Sequence, residues 1–344
     1  MRNKWTGVGS LNNFRSIFEK KTYLKFADYI LNCQDSRGGI RWEPGSKLDP
    51  WDHIEAAMGL DVLGFKDESK KAYDWLKLNQ ESDGSWFSLY YANEENNLKE
   101  TNFSSYIAVG MWHHYLNFRE KDFLLEFWPV LDKAIKFTLS AQTEHGDIFW
   151  AKENNKWLDD SLFTGCSSIF MSLISYKKIA KEIKKNDRVE KKHVESLRNC
   201  LRNKPDRFDR NWASKERYSM DWYYPILCGV YNKSKSKKIL KDRWIEFVVK
   251  DLGCKCVKEE PWVTAAESAE LVLALLRLGL KHEAEKILQD TFNLMDEDGL
   301  LWTGYVYKDK KFWPIEKPSW TMGAAILAGN SLNKFSPSNK FFNF

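Results

Sequence analysis

The chain has 344 residues, of which 43% are hydrophobic and 29% charged, a globular composition long enough for one large fold or two domains. A net charge of +5 is too small for a dedicated nucleic-acid binder, and no nucleic-acid motif occurs. The six cysteines show no disulfide spacing, no apolar run reaches the length of a membrane span, and the N-terminus lacks the apolar core of a signal peptide. These features predict a cytoplasmic protein.

Helical periodicity runs along the whole sequence, whereas strand signals are nearly absent. Two kinds of helix are predicted, amphipathic helices with one apolar face and apolar helices that must be buried on every side. They alternate strictly, with an amphipathic helix first in each pair: 18–33 and 52–63, 67–80 and 101–116, 121–141 and 162–180, 187–202 and 218–231, 236–249 and 262–279, 281–295 and 319–332. Residues 205–215 fit neither kind.

A short motif recurs where amphipathic helices end. Glutamine is followed four residues later by glycine at Gln34, Gln80 and Gln142, with looser copies at Val249 and Met295. Glycine supplies the left-handed conformation that commonly ends a helix. Repetition at this spacing is typical of helical hairpins stacked side by side.

The alternation predicts an all-α fold, an (α/α)6 toroid with amphipathic helices outside and apolar helices inside. We expect a single domain over 1–344, with peripheral tails at 1–17 and 333–344. Alternation also makes all inner helices parallel, so their N-termini should lie at one mouth of the barrel.

Basic residues concentrate at 177–204 and 233–243, in segments predicted to be outer helices. A solvated helix face is the simpler interpretation of these runs. The alternative is weak peripheral contact with an anionic membrane surface.

The segments that enter the inner helices combine carboxylates with aromatic residues, so we interpret the mouth as the functional face. Asp221 is the strongest candidate acid, because its aromatic flanks do not follow a helical stripe. His53 could pass protons to the neighbouring Asp52, whereas Glu55 and Glu267 could equally be helix-capping residues. The predicted catalytic residues are Asp52, His53, Glu55, Asp159, Asp160, Asp221 and Glu316.

Aromatic and polar residues near the same entries are predicted to bind substrate. Any one tryptophan could instead pack between the helix layers, Ser167 could bond back to the preceding turn, and His113 could be a polar core residue. The predicted binding residues are Trp51, Asn102, Trp112, His113, Trp150, Ser167, Trp222, Tyr223, Trp262, Glu267, Trp302 and Trp320.

The motif at Gln80, Gly84 and Trp86 resembles the QW-type repeat of the terpenoid cyclase and protein prenyltransferase superfamily. The helix alternation and the chain length are also similar to those of that superfamily. The segments 262–267 and 302–307 also look like proteins labelled prenyltransferase-like. The resemblance implies an α/α toroid that acts on isoprenoids. The family's Asp-x-Asp-Asp motif and zinc ligands have no counterpart here, so we expect neither a metal nor another cofactor.

Three functions remain open at this point. The first is metal-independent acid/base chemistry on an isoprenoid or other lipid-like substrate, whose carbocations aromatic rings could stabilise. The second is a carbohydrate-active (α/α)6 enzyme, namely a glycoside hydrolase, lyase or epimerase, in which two carboxyls act on a sugar. The third is a toroid that binds a ligand or partner without catalysis. The oligomeric state is not predicted.

Overall fold

A computed structural model describes residues 17–91 and 97–343. It confirms the predicted all-α (α/α)6 toroid. The outer helices are α1 (Lys20–Cys33), α3 (Lys66–Leu78), α6 (Lys121–Ser140), α8 (Lys191–Asn203), α10 (Lys233–Phe247) and α12 (Lys281–Phe292). The inner helices are α2 (Pro50–Leu63), α4 (Thr101–Ser105) continued by α5 (Ile107–Phe118), α7 (Phe163–Glu182), α9 (Ser219–Leu227), α11 (Ala265–Leu278) and α13 (Ser319–Asn333).

The inner helices form a closed ring. Helix α2 contacts α5, α5 contacts α7, and the sequence of contacts continues through α9, α11 and α13 back to α2. The ring helices are apolar on nearly every side because each packs against two inner neighbours and the outer layer. In α13, for example, all residues are buried except Trp320, Ser331 and Asn333.

Ring closure depends on a close approach between the first and last inner helices. A Cβ atom on Gly323 of α13 would lie 2.9 Å from the backbone oxygen of Glu55 in α2. Facing it, a Cβ on Gly59 would lie 3.1 Å from the Cα of Gly323. Neither position therefore has room for a side chain unless the two backbones separate.

The recurring glutamine has the same structural role in each copy. Gln80 donates through its side-chain nitrogen to the carbonyl of Gly84 at 3.0 Å and to that of Val130, in the next outer helix, at 2.8 Å. Gln34 bonds Gly38 and Glu68 in this way, and Gln142 bonds Gly146 and His193. In these three copies the motif thus ties the turn to the neighbouring hairpin, which is a contact between repeats of the fold.

Short strands at the mouth were not predicted. One antiparallel sheet contains β1 (Leu98–Glu100), β2 (Ala151–Glu153) and β3 (Lys156–Trp157). The other contains, in this order, β4 (Val248–Val249), β5 (Gly253–Lys255), β6 (Trp262–Thr264), β7 (Gly304–Val306) and β8 (Lys311–Phe312). With two or three residues each, they are too short to show the alternation by which strands are recognised.

Six entry segments lead from an outer helix into the next inner helix: 34–49, 79–100, 141–162, 204–218, 248–264 and 293–318. Hydrogen bonds join each segment, or the first residue of the helix that it enters, to the next segment around the mouth. The first segment bonds the second through Leu48 and Tyr90, and the last bonds the first through Ser319, whose N–H donates to the carbonyl of Trp42. The smaller sheet joins the second segment to the third, and the larger sheet joins the fifth to the sixth. Backbone hydrogen bonds from Asp209 to Ser161 and from Ser219 to Cys256 join the third to the fourth and the fourth to the fifth. The rim is therefore a closed band that fixes the positions of the inner-helix N-termini.

Two local predictions need correction. The inner helix predicted at 101–116 is broken at Tyr106. The segment 205–215, for which no element was predicted, begins with a 3₁₀ turn at Pro205–Arg207, and a second turn, Lys215–Arg217, starts at its last residue. The C-terminal tail is not peripheral, because a 3₁₀ helix, Pro337–Asn343, buries Phe341 and Phe342 against the barrel. The predicted N-terminal tail lies outside the described residues except for the buried Ile17.

The remaining sequence expectations concern cysteines and membranes. All six cysteines are free thiols. Within residues 17–91 and 97–343, no helix is both long and apolar enough to cross a membrane. The basic runs lie mainly on α8 and α10, which are outer helices.

Replacing Gly84 with alanine should destabilise the protein more than the same change at Gly64. Both glycines have φ +96°, but a Cβ on Gly84 would lie 2.3 Å from the carbonyl oxygen of Lys133, whereas nothing lies within 4 Å at Gly64. The left-handed conformation alone costs alanine about 1–2 kcal/mol, and the clash should add roughly 1–3 kcal/mol.

Urea unfolding of wild type, Gly84→Ala and Gly64→Ala measures both effects. Equal losses in the two variants would show that the contact between hairpins contributes nothing.

Candidate active site

The mouth of the toroid contains a cluster of three carboxyls at the start of α2. Asp49 is the N-cap of the helix, and its side chain accepts a hydrogen bond from the backbone N–H of Asp52 at 2.9 Å. Asp52 is half-buried, whereas Glu55, nearly one turn further into the helix, is only 2% exposed. The cluster therefore extends from the rim into the barrel.

Burial makes these carboxyls unusually weak acids. Loss of hydration raises the pKa of Asp52 well above its usual value, and the nearby charges of Asp49 and Glu55 raise it further. Burial likewise raises the pKa of Glu55 to about 8, although a hydrogen bond from the Trp51 indole partly offsets the effect. At neutral pH the cluster consequently holds protons that an ordinary carboxylate would have lost.

Two further carboxyls come from α11, which reaches the same mouth from beyond α13. Glu267 lies in the first turn and is 9% exposed, and Glu270 lies one turn deeper and is 2% exposed. Burial raises the pKa of Glu270 well above its usual value, and the charge of Glu55 raises it further. Both helices begin at the same mouth, so the α2 and α11 carboxyls lie at the same end of the barrel. Glu270 also accepts a hydrogen bond from the hydroxyl of Tyr223.

Aromatic rings surround the α2 cluster. The indole of Trp51 stacks on Tyr106 with ring centres 5.1 Å apart, and it contacts Phe103 and Tyr224 at 5.8 and 5.5 Å. These rings come from three inner helices, α2, α4 to α5, and α9. They provide the low-dielectric surroundings that keep the carboxyls protonated.

Each inner helix also places a buried polar atom without a hydrogen-bond partner in its first two turns or at its N-cap. Native proteins leave few such atoms unsatisfied, so a set that includes every inner-helix start indicates a site for a polar ligand. Among the described residues, these atoms belong to Glu55, Asn102, Ser168, Ser219, Tyr224, Thr264, Trp320 and Thr321.

His53 does not face this interior, which corrects its predicted role in proton transfer. Its Nδ1 accepts from the N–H of Ile40 and its Nε2 donates to the carbonyl of Ala72, both at 2.9 Å. Burial lowers the pKa of His53 to about 4. The ring is therefore neutral, with both nitrogens engaged by the backbone.

Three predicted binding residues also point elsewhere. Trp222 is buried against the outer helix α10, where it stacks on Phe247 and donates to the carbonyl of Ile239. His113 lies toward the far end of the barrel, with Nδ1 3.5 Å from Asp61 and its ring against Phe341. Trp112 stacks on Tyr115. Their apolar flanks could not reveal which side of the helix they occupy.

The predicted catalytic residues Asp159 and Asp160 make hydrogen bonds and an ion pair within the rim. Asp160 is 1% exposed and accepts backbone N–H groups from Ser161, Arg210 and Asn211 at 2.7 to 3.0 Å. Asp159 is exposed and pairs with the Arg210 guanidinium at 3.0 Å. Both contacts join the third and fourth entry segments, so these residues are structural.

Asp221 and Glu316 lie near the starts of other inner helices. Asp221, in the first turn of α9, accepts hydrogen bonds from the N–H and hydroxyl of Thr164 in α7, and burial raises its pKa to about 6. Glu316, which precedes α13, bonds Thr303 through its backbone oxygen at 3.1 Å and its side chain at 3.4 Å. Asp221 therefore joins two neighbouring inner helices, whereas Glu316 stabilises the segment that enters α13.

The remaining predicted residues occupy three kinds of position. Ser167 bonds back to the carbonyl of Phe163 and so is already satisfied. Trp51, Asn102, Tyr223 and Glu267 belong to the interior described above. The half-buried tryptophans lie on the rim in pairs with other rings: Trp150 with Trp212, Trp262 with Trp313, Trp302 with Phe312, and Trp320 with Trp42.

Sequence reasoning did not select four residues of this interior: Glu100, Tyr106, Tyr224 and Glu270. Burial raises the pKa of Glu100 to about 7, and this residue immediately precedes α4. A glutamate within a helix apolar on every side, as at Glu270, was a usable signal. None of the described residues forms a group of three or more His, Cys, Asp or Glu side chains suited to a metal.

Comparison with known proteins gives no match to any family model. One relative, from Mycolicibacterium hassiacum, is 37% identical over 317 residues, which cover 92% of this chain and 87% of the relative. It is named MMP endo-(1,4)-3-O-methyl-alpha-D-mannosidase.

Solved structures share the fold at low identity. A glycosidase in complex with glucose superposes with a TM-score of 0.71 at 12% identity, covering 96% of this chain and 100% of the other. A D-mannose isomerase gives 0.68 at 13% identity, with 92% and 97% covered. An α-amylase from Clostridium perfringens gives 0.64 at 11% identity, with 92% and 98% covered.

These findings overturn the resemblance to terpenoid cyclases and prenyltransferases. The prediction failed because Gln80 and Gly84 follow from hairpin packing, so the repeat reports the toroid and not its chemistry. The isoprenoid hypothesis and the expected lipid-like substrate are accordingly wrong. The relative is an enzyme, which supports the prediction of an enzyme.

Replacing Glu55 with glutamine should flatten the dependence of stability on pH. Because burial raises the folded-state pKa of Glu55 from 4.5 to about 8, the unfolded chain ionises first as pH rises. Wild-type stability contributed by this group is therefore full below pH 4.5 and lost toward pH 8. The loss should be on the order of 5 kcal/mol, and Glu55→Gln should remove it.

Denaturant unfolding at several pH values between 4.5 and 8.5 checks the difference between wild type and Glu55→Gln. Exposed Glu260 offers a matched control, since Glu260→Gln should keep the wild-type pH dependence. Parallel curves for Glu55→Gln and wild type would contradict the buried, protonated carboxyl.

Proposed function

Since the chain belongs to the family of the M. hassiacum MMP endo-(1,4)-3-O-methyl-α-D-mannosidase, we propose that it hydrolyses internal (1→4) bonds between 3-O-methyl-α-D-mannose units. The observation that carries this proposal is the placement of buried carboxyls at the starts of both α2 and α11, at one mouth lined by aromatic rings. Glycoside hydrolysis commonly uses two carboxyl groups on either side of the scissile bond.

Asp52 is the proposed general acid. Its pKa is raised above the usual range, so it holds a proton at neutral pH, and its half-buried position makes it accessible from the rim. Glu55 is less suited to be the general acid, because it lies deeper and accepts a hydrogen bond from the Trp51 indole N–H. Burial is the main reason why Asp52 keeps its proton.

Glu267 is the proposed general base. It lies in the first turn of α11, at the rim end of the helix. Glu270, one turn deeper, is held by the Tyr223 hydroxyl, and its raised pKa keeps it protonated and unable to accept a proton. Glu267 is therefore the α11 carboxyl better placed to activate a water molecule.

The proposed reaction needs only these two groups and water. Asp52 donates its proton to the glycosidic oxygen as the bond from that oxygen to C1 breaks, and the bonding electrons stay on the oxygen. Water adds to C1 and gives a proton to Glu267. Proton transfer from Glu267 back to Asp52 through solvent restores both groups, and the net change is hydrolysis of one glycosidic bond.

Loss of either carboxyl should reduce hydrolysis strongly. We expect Asp52→Asn and Glu267→Gln each to lower kcat by roughly 10²–10⁴-fold, the usual contribution of a general acid or base. Products from α-(1→4)-linked 3-O-methyl-mannose oligosaccharides, separated by chromatography and identified by mass spectrometry, give the rate and the cleavage positions.

Matched controls are Asp159→Asn and Glu259→Gln, which change exposed carboxyls that pair with Arg210 and Arg217. Both should retain activity close to wild type. Unmethylated α-(1→4)-mannosides and α-(1→4)-glucans test the sugar preference. Full activity in Asp52→Asn would reject the assigned acid, and isomerisation of free mannose without hydrolysis would reject the proposed reaction.

A further inference from the structure

One tryptophan at the rim, Trp313, has a largely exposed side chain. Trp313, between β8 and α13, has 52% of its surface exposed, and Ile315, two residues later, has 74%. Among the described residues, Trp313 is the only tryptophan among the exposed large hydrophobic side chains. Leaving a side chain of this size in water forgoes part of the free energy that its burial would contribute.

The exposed indole is firmly held. The backbone N–H of Trp313 donates to the carbonyl of Gly304 at 3.0 Å, and its own carbonyl accepts the indole N–H of Trp262 at 2.7 Å. The two rings pack edge to face with centres 5.1 Å apart. A rigid aromatic side chain loses little conformational entropy on binding, which favours it as a contact surface.

The location links this pair to the proposed catalytic groups. Trp262 begins β6, which continues through Thr264, the N-cap of α11, to Glu267 in the first helical turn. Strand and helix rises place Trp262 on the order of 10 Å from Glu267 along the backbone. The aromatic pair therefore lies on the same wall of the mouth as Glu267, nearer the rim.

We propose that Trp313, supported by Trp262, is a stacking platform for a sugar unit distant from the cleavage point. This inference rests on the proposed function and adds a further substrate-binding position to it. The ligand is a 3-O-methyl-mannose unit of a longer chain. The methyl ether enlarges the apolar surface of the sugar, and burial of a methyl group against an aromatic face favours binding.

A distant platform explains how this site would favour cleavage within chains. Binding energy from a remote part of the substrate can be used at the reacting centre. Only substrates long enough to contact both Trp313 and the carboxyls would gain that energy. Short oligosaccharides would be cleaved without it.

The test compares wild type with Trp313→Ala and Trp313→Phe on 3-O-methyl-mannose oligosaccharides of increasing length. We expect Trp313→Ala to lower kcat/KM about tenfold on long chains, which corresponds to roughly 1.4 kcal/mol, and to leave the shortest cleavable substrate unaffected. Trp313→Phe should keep most of the activity on long chains. Leu125→Ser, which changes an exposed residue on the outer helix α6, should behave as wild type.

Binding measurements separate failure of the platform from failure of the proposed reaction. Asp52→Asn and Asp52→Asn/Trp313→Ala are titrated calorimetrically with the same oligosaccharides. Affinity that increases with length only when Trp313 is present supports the platform, even if wild type cleaves none of the substrates. An identical length dependence in both proteins, no binding by either, or a change of oligomeric state in Trp313→Ala would overturn it.

Discussion

The close packing of the first and last inner helices is the contact on which the rest of the molecule depends. Gly323 and Gly59 let the backbones of α2 and α13 approach so closely that no Cβ fits between them. That approach closes the ring, and it fixes the backbone at Glu55, directly opposite Gly323. Because α13 also contacts α11, the same closure determines where the α2 and α11 carboxyls stand relative to each other.

The candidate site combines two opposing electrostatic effects. The inner helices all begin at the mouth, and helix N-termini favour negative charge. Burial among aromatic rings disfavours the same charge and dominates at Asp52, Glu55 and Glu270, whose pKa values are raised. A group of buried acids reduces stability at neutral pH, and it persists because ring closure and the hydrogen-bonded rim hold the surrounding backbone in place.

The repeated glutamine and glycine show how a structural signal can be mistaken for a functional one. Gln34, Gln80 and Gln142 bond their own turn and the next outer helix, so they stabilise the stacking of hairpins in a ring. Such a contact can serve any family that builds this toroid. The repeat therefore identified the fold correctly and the enzyme family incorrectly, and the mannosidase relative corrected the family.

The sequence by itself determined the helices, their alternation and the location of the functional face, because these depend on local periodicity and on the direction of successive helices. It also selected Asp52, Glu55, Trp51 and Glu267, whose acidic or aromatic character interrupts apolar segments. Only the tertiary structure decided which side each residue faces. The side chains of His53 and Trp222 turn toward outer helices, and that of Glu270 points inward. The carboxylate of Asp160 accepts backbone N–H groups. Packing between helices distant in sequence sets these orientations, so the sequence could not show them.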